Sequence, residues 1–455
     1  MRETATAKTP GQSIASGAAA TLGALAAKAL GAPLPVRIRA WDGSEAGPDG
    51  GPVVLVRSRR ALRRLMWCPG ELGLARAYVT GDLDVEGDLT DGFRLVWQVV
   101  RDRDHRVELT WRDKADVLVS AARLGAIGAP PRPPASEARL SGRLHSRSRD
   151  REVIAHHYDL SNDFYQLLLD ENLAYSCAYF TSSRPDYTLT DAQRDKLDLV
   201  CRKLGVGPGT RLLDVGCGWG SLSIHAARFF GARVIGITMS QEQLDVARKR
   251  AADLGLHDVV EFRLQDYRDV SDGPFDVAAS IEMGEHVGAE SYPSFIAGLY
   301  RLLRGEGRLL VQQMSRQTCA PGGGAFIESY IAPDMHMQPV GDTVAQIERA
   351  GFEVRHVEAM REHYVRTARA WLDRLERHWH DAVALVGEEV ARVWRLYLVG
   401  GALAFEERRM GVDQILAVKP SPEGCSGMPD VPFGHGAALP FGHGAGFPFG
   451  HGAGD

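Results

Sequence analysis

The residues with the most chemical content gather around one glycine-rich turn. Leu212-Leu213-Asp214-Val215-Gly216-Cys217-Gly218-Trp219-Gly220 reads as an apolar strand running into a turn at a helix start. Missing side chains at Gly216 and Gly218 let a ligand approach the backbone, and ligands of parallel sheets lie beyond the carboxyl ends of the strands. The spacing is Gly-x-Gly-x-Gly, without the phosphate-cradling Gly-x-Gly-x-x-Gly, and Asp214 beside the turn suits a cationic cofactor better than a pyrophosphate. The next strand ends in Gly236-Ile237-Thr238-Met239-Ser240-Gln241-Glu242-Gln243, with no acid at the strand end for ribose hydroxyls. Thr238, Ser240 and Gln243 offer hydrogen bonds instead, although Ser240 is equally a helix cap. Further on, Asp266 offers an acidic contact and Tyr267 an aromatic face for an adenine ring. Taken alone, the glycines also fit a packing turn with no ligand.

Elements that would position these residues follow from periodicity. Strands are expected at 211–215, 233–237, 259–264, 275–280 and 308–312, with helices at 221–230, 241–254 and 291–303. Such alternation calls for a parallel sheet covered on both faces, hence an α/β fold. Two long helical patterns at 364–380 and 384–405 and a last strand at 414–418 complete this part. Short apolar runs and turns between 35 and 93 read as a small α+β unit. The chain therefore divides into an Ala-rich segment (1–34), a small N-terminal domain (35–128), a Pro/Arg/Ser linker (129–150) expected to be mobile, a catalytic domain (151–420) and a tail (421–455). The Ala-rich stretch reads as a helix of the first domain rather than a signal peptide. The tail repeats Pro-Phe-Gly-His-Gly-Ala from Pro432, Pro440 and Pro448, so His435, His443 and His451 recur every eight residues. With Gly and Pro throughout, disorder is expected and no functional metal site.

Bulk composition narrows the classes. With 455 residues, 44% apolar and 24% charged, the chain is ordinary globular protein of two or three domains. A formal net charge of -5 argues against general electrostatic capture of nucleic acid. No run is long and apolar enough to span a bilayer. Six cysteines without a Cys-x-x-Cys pair are expected as reduced thiols of a cytoplasmic protein.

Several ordered motifs then resemble the cyclopropane-fatty-acid and mycolic-acid cyclopropane synthase family. The carrying segments are His156-His157-Tyr158-Asp159-Leu160-Ser161-Asn162-Asp163-Phe164-Tyr165, Tyr175-Ser176-Cys177-Ala178-Tyr179-Phe180, the glycine turn and Glu282-Met283-Gly284-Glu285-His286-Val287-Gly288. Phe326-Ile327-Glu328-Ser329-Tyr330-Ile331 and His363-Tyr364-Val365-Arg366-Thr367 extend it, so that residues 150–420 are covered. The resemblance implies a doubly wound, Rossmann-like methyltransferase sheet with helical lid insertions. It implies that Tyr175, Ser176, Gly216, Gly218, Thr238, Gln243 and the Tyr267 region hold S-adenosylmethionine. It also implies a bicarbonate pocket beside the reacting carbons, matched by Cys177, Glu285 and Tyr364. Two positions depart from the pattern: Gln312 stands where the family usually has His, and Met314 where it has Ile. Gln still donates to an anion but carries no proton charge.

The implied reaction is methyl transfer to the double bond of an unsaturated acyl chain of membrane phospholipid, giving a cyclopropane. An alkene is a poor nucleophile, so the methyl must be held aligned in a dry site. Tyr179, Phe180 and Tyr267 are candidates to face the resulting carbocation. Glu285 is expected to orient bicarbonate or to act as the base itself. A hydride shift before proton loss would give a methylene branch instead, completed by a partner reductase. The resemblance also implies a homodimer in some members. Arg57-Ser58-Arg59-Arg60-Ala61-Leu62-Arg63-Arg64-Leu65 mixes positive charge with apolar positions and suits peripheral docking at the inner face of an anionic membrane, or simply a solvated helix face. Two rival readings are a methyltransferase for a diffusible small molecule and a silent lipid-binding protein.

Overall fold

The computed structural model describes residues 17–101, 110–138, 144–147, 149–150, 152–153, 161–317, 320–321 and 323–429. His156 to Leu160, and the repeats with His435, His443 and His451, lie outside the described residues.

The N-terminal unit contains β1 (Arg37–Ala40), β2 (Glu45–Ala46), β3 (Val53–Val56) and β4 (Leu83–Glu86) in the order β2-β1-β3-β4. The helix Ala18–Leu30 buries Ala18, Ala19 and Leu22 in the same core as Ile38 and Val56. This unit does not stand apart. Tyr78 and Val79 share a core with Phe326, Val399 and Leu403, and Arg392 Nη2 reaches Asp84 at 3.0 Å. The expected mobile linker is tied on both sides where it is described. Arg64 Nη1 donates to the Arg132 carbonyl (3.0 Å), Arg76 pairs with Glu137, and Ala138 N donates to the Ser329 carbonyl (2.7 Å). Its prolines and arginines mimic linker composition, but tertiary hydrogen bonds hold it.

The same pairing changes the picture of the arginine-rich helix Arg59–Trp67. Arg64 is buried and shares the carboxylate of Asp82 with Arg60, at 3.0 Å each. Arg63 Nε donates to the Ala126 carbonyl, and Arg57 pairs with Asp84. Arg64 is thus spent inside the fold, whereas Arg57 and Arg60 stay exposed while reaching the buried carboxylates of Asp84 and Asp82.

The catalytic part is built on β5 (Arg211–Val215), β6 (Arg233–Thr238), β7 (Val260–Leu264), β8 (Phe275–Ile281) and β9 (Leu303–Ser315). A two-stranded hairpin of β10 (Ala320–Pro321) and β11 (His336–Met337) lies beside it in sequence, and β12 (Glu353–Ala359) and β13 (Gly411–Val418) complete the sheet. Sheet order is β12-β13-β9-β8-β5-β6-β7. Strands β7 to β9 run parallel through β6, β5 and β8, and β13 inserts antiparallel between β9 and β12. Leu212, Leu213 and Val215 of β5 are buried, with Leu212 facing Leu197, Leu222 and Leu244 on one side and Leu213 facing Phe295 and Ile347 on the other. Continuous apolar runs of this kind belong to strands covered on both faces. The chain passes from β5 outward to β6 and β7, then returns to β8 on the other side of β5. That reversal leaves a crevice at the carboxyl end of β5, where the glycine turn lies.

The expected elements of this part are present, with boundaries shifted by a few residues and β9 extended. Among the elements not anticipated are the helices Asn162–Leu168, Leu189–Leu204, Ala325–Tyr330 and Val340–Arg349, the pair β10 and β11, and the edge strand β12. The start of the tail is also ordered. Arg308 Nη2 donates to the Gly427 carbonyl at 2.9 Å, and Met428 packs on the core. No helix among the described residues is long and apolar enough to cross a membrane.

Candidate active site

A cavity opens at the ends of β5, β6 and β8. Gly216 begins it with φ +82°, a left-handed conformation, and a Cβ there would lie 2.8 Å from Met283 Cγ. Gly218 is also left-handed (φ +54°), but its missing Cβ would meet nothing within 4 Å. The helix Ser221–Phe230 follows directly. Its start is strapped by the 170–176 segment: Ser221 Oγ donates to the Asn172 carbonyl (2.6 Å), and Arg250 bridges the carbonyls of Trp219 and Asn172. The segment turns because Asp170 accepts from the backbone of Asn172 and Ala174, with Leu173 at φ +56°. Gln193 then holds the Ala174 and Ser176 carbonyls, which delivers Tyr175 and Ser176 to the cavity wall.

Tyr175, Ser176, Asp214, Gly216, Gly218, Thr238, Gln243, Asp266 and Tyr267 all line this one cavity. Ser240 does not; its hydroxyl caps the helix Gln241–Asp253 by accepting from Gln243 N at 3.2 Å. Thr238 Oγ1 donates to Gln243 Oε1 (2.8 Å), fixing both side chains. Asp266 is paired with Arg268, and Tyr267 rests edge-on against Phe295. Asp214 accepts from Ser223 Oγ at 2.7 Å, and burial pushes its carboxyl up to about 6. Lys196, absent from the sequence expectations, is buried on the same wall with Nζ donating to Ser176 Oγ (2.9 Å); burial pulls its pKa down.

The expected reaction group is arranged differently from its sequence reading. The carboxylate at its centre is Glu282, not Glu285. Glu282 Oε1 accepts from Cys177 N (2.8 Å) and Gln312 Nε2 (2.7 Å), and Oε2 accepts from Tyr364 OH (2.7 Å). Cys177 thus contributes its backbone; its thiol points to the Ala178 carbonyl, and burial pushes the thiol pKa far up. Gln312 is itself oriented, since its Oε1 accepts from Gln414 Nε2 (2.9 Å) and Gln414 Oε1 accepts from Lys203 Nζ (2.7 Å). Lys203 pairs with Glu358, which also receives Tyr179 OH. Burial raises the Glu282 pKa, and its three donors and nearby Lys196 oppose that rise.

Glu285 lies one 3₁₀ turn away, fully buried, accepting from Met314 N at 2.6 Å; its Oε2 has no partner among the described residues. Burial, and then the charge of Glu282, push it up to about 8, so it is neutral at pH 7. Cys177, Gln312, Tyr364 and Glu285 do not reach the cavity wall, whereas Glu282 does. The donors expected around a bicarbonate are therefore taken by a side-chain carboxylate, and the residues present do not fit a separate bicarbonate there. Of the three aromatic candidates, only Tyr267 lines the cavity. Tyr179 and Phe180 stack with His363 instead, and Tyr175 fills the inner wall against Trp371 and Trp394.

A Rossmann-like sheet with a glycine turn, a capped second helix and a polar third-strand loop around one cavity defines the class I S-adenosylmethionine-dependent methyltransferases. Comparison with known proteins agrees. The family description "Mycolic acid cyclopropane synthetase" matches residues 145–415, more than half of the chain, and the protein belongs to that family. It is 40% identical to a probable fatty acid methyltransferase of Mycobacterium tuberculosis over 87% of this chain and 93% of that one. It is 33% identical to the tuberculostearic acid methyltransferase of the same organism, over 86% and 89% of the respective chains. Among solved structures, a mycolic acid cyclopropane synthase complexed with SAH and CTAB superposes with a TM-score of 0.55 and 32% identity, covering 59% of this chain and 97% of that one.

Proposed function

We propose that the enzyme transfers the methyl group of S-adenosylmethionine to the double bond of an unsaturated fatty acyl chain carried on phospholipid. The observation that carries this reading is Glu282, a carboxylate on the wall of the cofactor cavity that is held by three donors beside an aromatic cluster. Methylation of a heteroatom releases an acidic proton that solvent can take, whereas methylation of an alkene leaves a cation that must lose a carbon-bound proton inside an apolar enclosure. Tyr165, Tyr175, Trp219, Trp371 and Trp394 surround that region and keep water out. S-adenosylmethionine supplies an electrophilic methyl; Asp214 contributes negative charge beside the turn, and Thr238, Gln243, Asp266 and Tyr267 shape the nucleoside end.

Proton loss decides between a cyclopropane and a methylene branch. Relatives that match over 86–87% of this chain are named as fatty acid and tuberculostearic acid methyltransferases, which supports a branched acyl product. A cyclopropane is the alternative outcome of the same assay. Docking at the membrane surface by the N-terminal unit, a homodimer and a reductase acting on a methylene product complete the proposal. Exposed Trp67, Trp111 and Leu118 are the apolar contacts such docking would use, beside the exposed Arg57, Arg59 and Arg60.

The purified enzyme, incubated with S-adenosylmethionine and vesicles of unsaturated phospholipid, is expected to yield acyl chains heavier by one CH2. Fragmentation of the product distinguishes ring from branch. Absence of any such increment, with cofactor binding intact, would remove the lipid reading in favour of a diffusible substrate.

A further inference from the structure

We infer that Glu282 is the enzyme's own proton acceptor and that turnover needs no bicarbonate. This rests on the lipid-alkene reading of the same site. Three features point to it. The donor set on its two oxygens — Cys177 N, Gln312 Nε2 and Tyr364 OH — favours the ionised form against the opposing effect of burial, so the chain supplies its own anion there. Glu282 is the only member of that group on the cavity wall, within reach of a reacting chain. Its backbone is left-handed at φ +53°, an uncommon conformation for a non-glycine residue. Strain of this kind persists where the surroundings over-determine it, and it gathers at working sites. This left-handed residue directly follows β8, and its side chain both meets the three donors and lines the cavity.

The step balances as follows. The alkene π pair forms a bond to the methyl carbon while the sulfur–carbon bond breaks and its pair stays on sulfur, releasing S-adenosylhomocysteine. The acyl chain becomes a carbocation. Glu282 accepts a proton either from the added methyl or, after a hydride shift, from that same carbon. The freed C–H pair closes a ring bond in the first case and forms a methylene double bond in the second. Glu282 ends as a carboxylic acid and returns the proton to solvent. Gln312 cannot carry a proton in this scheme and need not, because the base is the residue it holds; it is a positioning residue, fixed by Gln414 and Lys203.

The test follows CH2 addition to vesicle phospholipid in buffer stripped of carbon dioxide. The wild-type rate is expected to be the same with and without added sodium bicarbonate. E282Q is expected to lose turnover by about 100-fold or more while binding S-adenosylhomocysteine normally. E282G empties the carboxylate position without a bulky replacement, and bicarbonate or formate is expected to restore part of its rate. A wild-type rate that falls on stripping and returns with bicarbonate would overturn the inference, as would an E282Q enzyme of ordinary turnover. If E282Q does not fold, the wild-type and E282G arms still decide. A wild-type enzyme that adds no CH2 under any condition would instead overturn the lipid reading.

Discussion

On the β5–β7 side of the cavity, the contacts that fix the polar side chains are local in sequence: Thr238 to Gln243, Gln243 to Ser240, Asp214 to Ser223. On the β8–β9 side they join distant segments: Cys177 to Glu282 across 105 residues, Gln312 to Gln414 across 102, Tyr364 to Glu282 across 82. The first wall recognises a ligand of constant shape, for which a strand, a turn and a capped helix suffice. The second must hold a charge away from water, and only donors converging from several elements make that tolerable. Damage to the two walls should accordingly separate, the first affecting cofactor affinity and the second the chemical step.

The largest effect on the first wall is expected at Gly216. Alanine there faces both the left-handed backbone and a Cβ position 2.8 Å from Met283 Cγ, so Met283 and the turn must shift. G216A should weaken S-adenosylhomocysteine binding by about 1–3 kcal/mol, roughly tenfold to a hundredfold by calorimetric titration. G218A keeps the backbone strain but meets open space, and should cost less. Equal losses in the two variants would mean that Met283 is not part of the wall.

On the second wall, Q414L removes the donor that orients Gln312 and one acceptor of Lys203. A freed Gln312 amide no longer presents Nε2 steadily to Glu282, a loss of about 1–1.5 kcal/mol, or roughly tenfold in kcat. Because a donor to the ionised carboxylate weakens, the Glu282 pKa should rise and the acid limb of the kcat–pH profile should move to higher pH. Cofactor affinity should stay unchanged. A lower affinity with an unmoved pH profile would mark Gln414 as merely structural.

How much of each wall was legible in the sequence follows from the same division. The strand–turn–helix around Gly216, the polar run from Thr238 and the Asp266–Tyr267 pair were visible because each is contiguous, and nine of the ten expected cofactor residues line the cavity. Ser240 was ambiguous for a physical reason: capping and ligand contact favour the same residue types. For the second wall the sequence pointed to Cys177, Gln312, Tyr364 and Glu285; the structure gathers the first three around Glu282 and sets Glu285 one turn away. The two carboxyls lie three residues apart, and only the left-handed turn at Glu282 decides which one faces the donors. Gln414 and Lys203 were invisible because their role depends on the antiparallel register that sets Gln414 opposite Gln312. For the arginine-rich helix, docking and a solvated face both stayed open in the sequence, since the partners Asp82 and Asp84 come from a separate segment and leave no mark on its composition.

The smallest expected effect, on Glu285, is also the sharpest test of the division. A carboxyl with a folded pKa of about 8 is protonated at pH 7, and glutamine closely imitates that form, keeping an oxygen for Met314 N. E285Q should therefore turn over within about threefold of the parent at pH 7, a change of less than about 1 kcal/mol. Stability should respond more. The folded state keeps this proton up to about 8, whereas the unfolded chain releases it near the ordinary carboxyl value of 4.5. Between those values the native state binds more protons, so the parent loses stability as pH rises, and below 4.5 the group has no effect. E285Q removes that loss: its advantage in denaturant melts should grow from nothing at pH 4 to a plateau above pH 8, on the order of a few kcal/mol. A folded E285Q enzyme with no turnover at pH 7 would place the proton acceptor at Glu285 after all, leaving Glu282 as its support and reversing the roles on that wall.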